Sequence, residues 1–217
     1  MLVGSLSNHS SVVYKQKMYL FGGNYGLNNN DKFYCYDPAN AMWDLVKTRP
    51  ANNDAGNMPP ALDEHSAVVH DDFMVVFGGF ANGDRQDFTF AYNFKTLEWR
   101  VLGDATVRPE PRAGHSAVVH EGSMYIFGGQ NNNDVKLNDV WRLDLASESW
   151  EQIMPNSTAD DVPLGRTGHS MCIYKGHILV FGGIHEITKE LNDCYAFDLQ
   201  GGAWKRLFAT DDPNQAS

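Results

Sequence analysis

Cysteine is scarce: Cys35, Cys172 and Cys194 are the only three in 217 residues, with no C-x-x-C pair. An odd count without that pairing excludes a disulfide-dense scaffold and a thiolate zinc site. It reads as free thiols in a reducing compartment, at apolar strand positions suited to small core packing. Positive charge is also short. Lys and Arg total 17 against 27 Asp and Glu, for a net charge of −10. A surface this acidic repels phosphate backbones, so nucleic acid is not an expected partner. Long apolar runs are missing. A stretch such as Met74–Ala81 is far too short for a membrane span, so no membrane partner is expected either. The N-terminal Met1-Leu2-Val3-Gly4-Ser5 has no basic n-region and no apolar h-region. No secretory signal is read there, and a cytoplasmic or nuclear location is expected. The sequons at Asn8-His9-Ser10 and Asn156-Ser157-Thr158 then read as chance matches.

What is present is a core and a repeat. Hydrophobic residues make up 42% and aromatics 12%, too rich for a disordered chain. Twenty glycines suggest many tight turns and hence many short strands. His-Ser recurs at His9-Ser10, His65-Ser66, His115-Ser116 and His169-Ser170. Phe-Gly-Gly recurs at residues 21–23, 77–79, 127–129 and 181–183, and from each His to the first Gly is 13 residues all four times. Trp43, Trp99, Trp150 and Trp204 follow the second Gly by 20, 20, 21 and 21 residues. Four landmarks in one order, four times, define an internal repeat of about fifty residues.

Each unit reads as four short strands, a to d. In the third, these begin at His115, Met124, Val140 and Trp150. Short turns make successive strands antiparallel. On strand c one face carries Tyr34, Phe90, Trp141 and Tyr195, and two residues on Tyr36, Tyr92, Leu143 and Phe197. That is a period of two with a heavily apolar face. A lone four-stranded sheet cannot bury both faces; stacking copies radially does, which is a β-propeller. The fold expected is all-β: one region over residues 1–217, with four antiparallel blades at about 6–47, 62–103, 112–154 and 166–208.

These residues resemble the kelch repeat: His-Ser on strand a, Phe-Gly-Gly on strand b, an aromatic pair before Asp on strand c, and Trp on strand d. Arg-x-Gly-His-Ser at 112–116 and 166–170 is similar to a subgroup that includes host cell factor, the leucine-zipper-like regulator and the Rab9 effector. Leu6 and Leu62 replace that Arg in the first two repeats, and Asn93 stands where the others have Asp37, Asp144 and Asp198. Kelch propellers usually have six or seven blades, so the resemblance implies part of a longer ring, with Thr210–Pro213 opening a linker. A closed four-bladed ring is the alternative. In a partial ring the end blades expose a face, expected to include Phe33, Tyr34 or Tyr36 at one end and Tyr195, Phe197 or Trp204 at the other.

Catalytic patterns are absent or incomplete. Gly114-His115-Ser116 and Gly168-His169-Ser170 lack the final Gly of a nucleophile elbow, and no helix follows them. His185-Glu186 lacks the second His of a zincin helix. The four strand-a histidines read better as local hydrogen-bonding residues at strand starts than as metal ligands. No cofactor is expected. What remains is a rim, because b–c loops and d–a linkers emerge on the same side of a blade. Candidate binding residues there are Asn24, Tyr25, Asn82, Arg85, Arg108, Arg112, Asn132, Arg166 and His185. Arg forks suit carboxylates, Asn suits backbone amides and Tyr is an amphipathic anchor. As turn formers and linker caps, or as an inter-blade salt bridge in the case of Arg112 and Arg166, the same residues would instead serve the fold. The expected function is a non-catalytic module binding a protein or peptide, with self-association through open blade faces. The alternative is a small-molecule binder or enzyme such as a sialate epimerase-like isomerase.

Overall fold

Strand a of each repeat turns into strand b through two residues, and three of these turns have positive φ at both. These are Lys15-Gln16 (45° and 64°), Glu121-Gly122 (44° and 73°) and Lys175-Gly176 (48° and 76°). Such turns match the right-handed twist of the strands they join. A computed structural model describes residues 3–103, 106–187 and 189–208; the linker expected at Thr210–Pro213 lies outside them. Blade one is Ser10–Tyr14, Lys17–Phe21, Phe33–Asp37 and Met42–Leu45, paired antiparallel in that order. Blade two is Ser66–His70, Phe73–Phe77, Thr89–Asn93 and Glu98–Val101. Blade three is Ser116–His120, Ser123–Phe127, Val140–Asp144 and Ser149–Ile153. Blade four is Ser170–Tyr174, His177–Phe181, Cys194–Asp198 and Ala203–Phe208. Among the described residues the chain is all-β apart from two short 3-10 turns at Ala51–Asn53 and Ala55–Asn57. Among the described residues, no helix is long and apolar enough to cross a membrane.

The c–d turns show how Asn93 can stand where the other repeats have Asp. Oδ1 of Asp37, Asn93, Asp144 and Asp198 accepts a backbone N–H two residues on, from Ala39, Lys95, Ala146 and Gln200. An amide oxygen does this as well as a carboxylate. Blade two departs from four strands. The linker residues Arg49–Pro50 pair in parallel with Glu98–Trp99 and make it five-stranded. The Arg49 guanidinium lies 3.1 Å from the Glu98 carboxylate, and proline is tolerated at an edge that needs no further donor.

The residues group into two compact units, blades one and two in one, blades three and four in the other. In the first, Phe21 and Phe33 of blade one meet Met74, Val76, Phe90, Tyr92 and Trp99 of blade two. Trp99 lies 5.1 Å from Phe21 between ring centroids, and Phe33 meets Tyr92 edge-on at 4.9 Å. In the second, Tyr125, Phe127 and Val140 of blade three meet Ile178, Val180, Tyr195, Phe197 and Trp204 of blade four. Phe127 and Trp204 are 5.0 Å apart. In both units the strand-d Trp thus caps the Phe of the preceding blade's Phe-Gly-Gly.

This register corrects the expected open faces. Phe33 is buried against blade two, and Tyr195, Phe197 and Trp204 are buried against blade three. Side chains alternate across a strand, so the opposite residues face outward. They are Val13 and Leu45 on blade one, and Tyr174, Phe181, Leu207 and Phe208 on blade four. Tyr34 is buried and Tyr36 half-buried, both on that outward side of blade one, across the sheet from Leu45 and Trp43. The cysteines differ too. Cys35 and Cys194 are half-buried, and burial raises both thiols above their ordinary pKa, but Cys172 is exposed and fills no core.

Candidate functional site

The b–c connections are built as small hairpins that reach back to the d–a linkers. Asn24–Tyr25 pairs with Asn28–Asn29, Phe80–Ala81 with Asp84–Arg85, and Ile184–Glu186 with Lys189–Glu190. In the third repeat Gln130 bridges to Lys136. These hairpins are tied down by side chains read from the sequence as rim candidates. Asn24 donates to Asp63 at 2.6 Å, and its carbonyl oxygen accepts from the Ser7 hydroxyl. Asn29 donates to the carbonyls of Ala61 and Phe80. His185 Nδ1 lies 2.6 Å from the Gly165 carbonyl.

The two arginines of Arg-x-Gly-His-Ser are fully buried, which removes them from any contact surface. Arg166 makes a bidentate pair with Asp193, at 2.5 and 3.0 Å, and donates to the Gly182 carbonyl at 2.9 Å. That pair lies within blade four, joining its entry linker to its b–c loop. Arg112 donates through Nε to the Glu110 carbonyl, while its own carbonyl accepts from Gly79. In blade one, where Leu6 stands at the Arg position, buried Asn30 donates to the carbonyl of Gly22, the counterpart of Gly182. A shorter donor from the other side does the same work.

Of the remaining candidates, Tyr25, Asn82 and Asn132 are exposed on b–c hairpins, and Arg85 and Arg108 are half-buried. The sequence reading missed what stands beside them. Leu27 and Ile187 are 100% exposed at hairpin tips, and Val135 is exposed in the third b–c loop. The signal was available: an aliphatic residue inside a polar loop that had no core to face.

Below the rim lies a clasp that the sequence reading also missed. His65 is buried between two blades. Its Nε2 lies 2.7 Å from the Ser10 hydroxyl of blade one, and its ring meets Phe21 edge-on at 5.3 Å. A Cβ on Gly22 would come within 2.6 Å of the His65 ring, and one on Gly79 within 2.7 Å of His65 Cβ. His169 repeats the glycine and phenylalanine contacts between Gly128 and Gly183, with Phe127 at 5.3 Å and 76°, while the Ser116 hydroxyl donates to its backbone carbonyl rather than to its ring. Each histidine is therefore held between the first Gly of the preceding blade and the second Gly of its own. Glycine is required because both positions have positive φ and no room for a side chain.

Burial pushes His65 and His169 down to about 3, so both are neutral near pH 7. The unfolded chain takes up these protons near pH 6.5, the folded chain only near pH 3. The stability at stake is whole above pH 6.5 and falls as pH drops through this window. At two units below 6.5 the loss is about 3 kcal/mol per histidine. Between pH 6.5 and 4.5 the urea midpoint should fall steeply, and less so in His65→Gln. Equal slopes in the two proteins would contradict a buried neutral imidazole. Among the described residues, no three His, Cys, Asp or Glu side chains gather as a metal site requires.

Four-stranded blades that stack face to face, joined by a histidine held between glycines, define a β-propeller repeat protein. The chain belongs to the kelch-repeat family: the family described as KLHDC2/KLHL20/DRC7 Kelch-repeats domain matches residues 8–217. Similar proteins include a Drosophila melanogaster leucine-zipper-like transcriptional regulator 1 homolog, 29% identical over 88% of this chain and 20% of its own length. Human kelch domain-containing protein 10 is 28% identical over 93% of this chain and 48% of its own length. Arabidopsis thaliana acyl-CoA-binding domain-containing protein 5 is 27% identical over 91% of this chain and 31% of its own. The chain thus spans between a fifth and about half the length of these relatives. Kelch-repeat domains are interaction modules on a propeller scaffold and are generally non-catalytic.

Proposed function

We propose that residues 1–217 act as one non-catalytic module that binds a protein or peptide partner inside the cell, on the side of the b–c hairpins and d–a linkers. The observation that carries this reading is an exposed aliphatic side chain on b–c loops of each unit, Leu27 in the first and Val135 and Ile187 in the second, with the Leu27 and Ile187 hairpins tied at their bases. One exposed aliphatic side chain is ordinary; the same feature on three b–c loops is a pattern. Anchored loops lose little conformational entropy on binding, so apolar tips there convert efficiently into affinity. Tyr25, Asn82, Asn132, Arg85 and Arg108 supply the polar surround, with arginine suited to partner carboxylates. Three free thiols agree with a reducing compartment.

Leu27→Asp and Ile187→Asp should each weaken partner capture from cell extract by at least tenfold, with no change in melting temperature. Glu121→Lys, on an a–b turn, should leave capture unchanged. Equal loss in the turn variant, or full capture by both tip variants, would place binding elsewhere.

A further inference from the structure

A cleft of about 700 Å³ lies between blades one and two, where the end of blade one's b–c connection faces the d–a linker. That volume falls in the usual range for small-molecule sites. Phe21, Phe33 and Trp99 close its bottom and are at most 3% exposed. Half-buried Val46, Met58 and Pro59 form its apolar walls. These walls are held by the backbone. Val46 N–H donates to the Phe33 carbonyl at 2.8 Å, and Met58 N–H to the Ala55 carbonyl at 3.1 Å. The Lys47 carbonyl accepts from the Tyr92 hydroxyl at 3.0 Å. A site fixed in this way is pre-organised, so little ordering opposes a ligand.

The polar lining has an unbalanced charge. Asp31 and Lys32 line the cleft and pair with each other at 2.9 Å, so they cancel. Lys47 is exposed, and among the described residues its ammonium has no carboxylate partner. The hydroxyl of half-buried Thr48 beside it has no hydrogen-bond partner there either. On a chain of net charge −10, one uncompensated cation beside an apolar cleft is a local exception that favours an anion.

The corresponding linker of the second unit carries other chemistry. Lys32 and Asp139 occupy one position, since their carbonyls each accept from the first Gly of a Phe-Gly-Gly, Gly22 and Gly128, at 3.4 Å. Asn138 therefore stands at the place of Asp31. Its amide donates to the Pro163 carbonyl at 3.2 Å and ties the b–c connection to the linker. Asp31 has no N–H to offer Pro59, which precedes Leu62 as Pro163 precedes Arg166. Counted from Trp43 and Trp150, Met154 and Pro155 stand in place of Lys47 and Thr48. Of the two linkers, that of the first unit lacks the tie and carries the free cation and hydroxyl.

We propose that this cleft is a binding site for a small apolar carboxylate. The apolar body lies between Val46, Met58 and Pro59, where methionine adapts to a flat or a branched shape. The carboxylate accepts from the Lys47 ammonium and the Thr48 hydroxyl. The ligand is distinct from the partner protein, and the hairpin tips Leu27 and Ile187 take no part in holding it.

Isothermal titration calorimetry with two probes tests this: naphthoate, a fused-ring carboxylate, and naphthylmethanol, the uncharged alcohol of the same shape. Naphthoate should bind at a single site with submillimolar affinity, the alcohol about tenfold more weakly. Lys47→Met, which installs the residue of the second unit at an exposed position, should weaken naphthoate about tenfold and leave the alcohol unchanged. Thr48→Trp should fill the cleft and abolish binding of both, with melting curves establishing that each variant is folded. Raising the salt concentration should weaken naphthoate alone. Naphthoate that binds no more tightly than the alcohol overturns the proposal. So does undiminished naphthoate binding by Lys47→Met or by folded Thr48→Trp. Leu27→Asp should bind naphthoate as the wild type does, so this site and the rim reading fail separately.

Discussion

Gly79→Ala should lower stability by about 3–5 kcal/mol. Two effects combine. Gly79 has φ +97°, a conformation that costs an alanine about 1–3 kcal/mol. The new Cβ would also lie 2.7 Å from the Asp63 carbonyl oxygen and 2.7 Å from His65 Cβ. Neither atom yields easily. The Asp63 carbonyl accepts from Phe80 N at 2.7 Å, and His65 is wedged against Phe21 and Gly22. Overpacking of this kind costs roughly 1–3 kcal/mol more. Gly83→Ala isolates the first effect, because Gly83 has φ +93° and nothing within 4 Å of a built Cβ. It should cost only about 1 kcal/mol. Urea unfolding of both variants decides the matter, and equal losses would show that no clasp opposes the methyl group.

Arg166→Met should cost about 3–5 kcal/mol, the usual result of removing one partner from a buried ion pair. The substitution strands the Asp193 carboxylate and leaves the Gly182 carbonyl without its donor. The double variant Arg166→Met, Asp193→Leu should recover most of the loss, because the pair's mutual attraction is largely consumed by desolvation. Recovery should stay incomplete by about 1 kcal/mol, the cost of the unpaired carbonyl. Were Arg166→Met as stable as the wild type, the guanidinium would not be holding the blade-four loop. For Arg166, the inter-blade salt bridge that the sequence allowed as the alternative to partner binding is thus a pair within a blade. Sequence spacing located Arg166 but could not identify Asp193, 27 residues on, as its partner.

The blades themselves were legible because four landmarks repeat, and repetition separates structural glycines from loop glycines. Strand c was legible from its period of two, but which neighbour each face meets was not. Phe33 and Tyr34 are adjacent aromatic residues, and only the pairing of Phe21 with Phe33 and of Tyr34 with Leu45 assigns one to blade two and the other outward. The parallel strand Arg49–Pro50 was illegible, since a proline in a linker signals a break and the edge it joins lies 49 residues on. The rim was half legible. Tyr25, Asn82 and Asn132 are exposed as a loop reading predicts, whereas Asn24, Arg112 and Arg166 are polar residues consumed by the fold. Composition cannot distinguish a polar side chain facing water from one facing a buried carbonyl. The histidine clasp left a trace, the constant 13-residue interval, but an interval shows that two residues are coupled without showing that the histidine also presses on a glycine of the preceding blade.

That interval has a consequence for where the chain can change length. Histidine and glycine act as the two jaws of a gauge closed through the a–b hairpin. One residue added at Asp71-Asp72 would carry Gly79 away from His65 and turn the strand-b side chains to the wrong face. Beyond the second glycine the gauge is open. Gly26 and Gly83 sit at hairpin tips with nothing within 4 Å of a built Cβ. Foreign peptide grafted there lengthens only a loop, whose closure cost rises slowly with its length. The b–c hairpins are thus one place where such a chain can vary in length, on the side where Leu27 and Ile187 already stand clear of the fold.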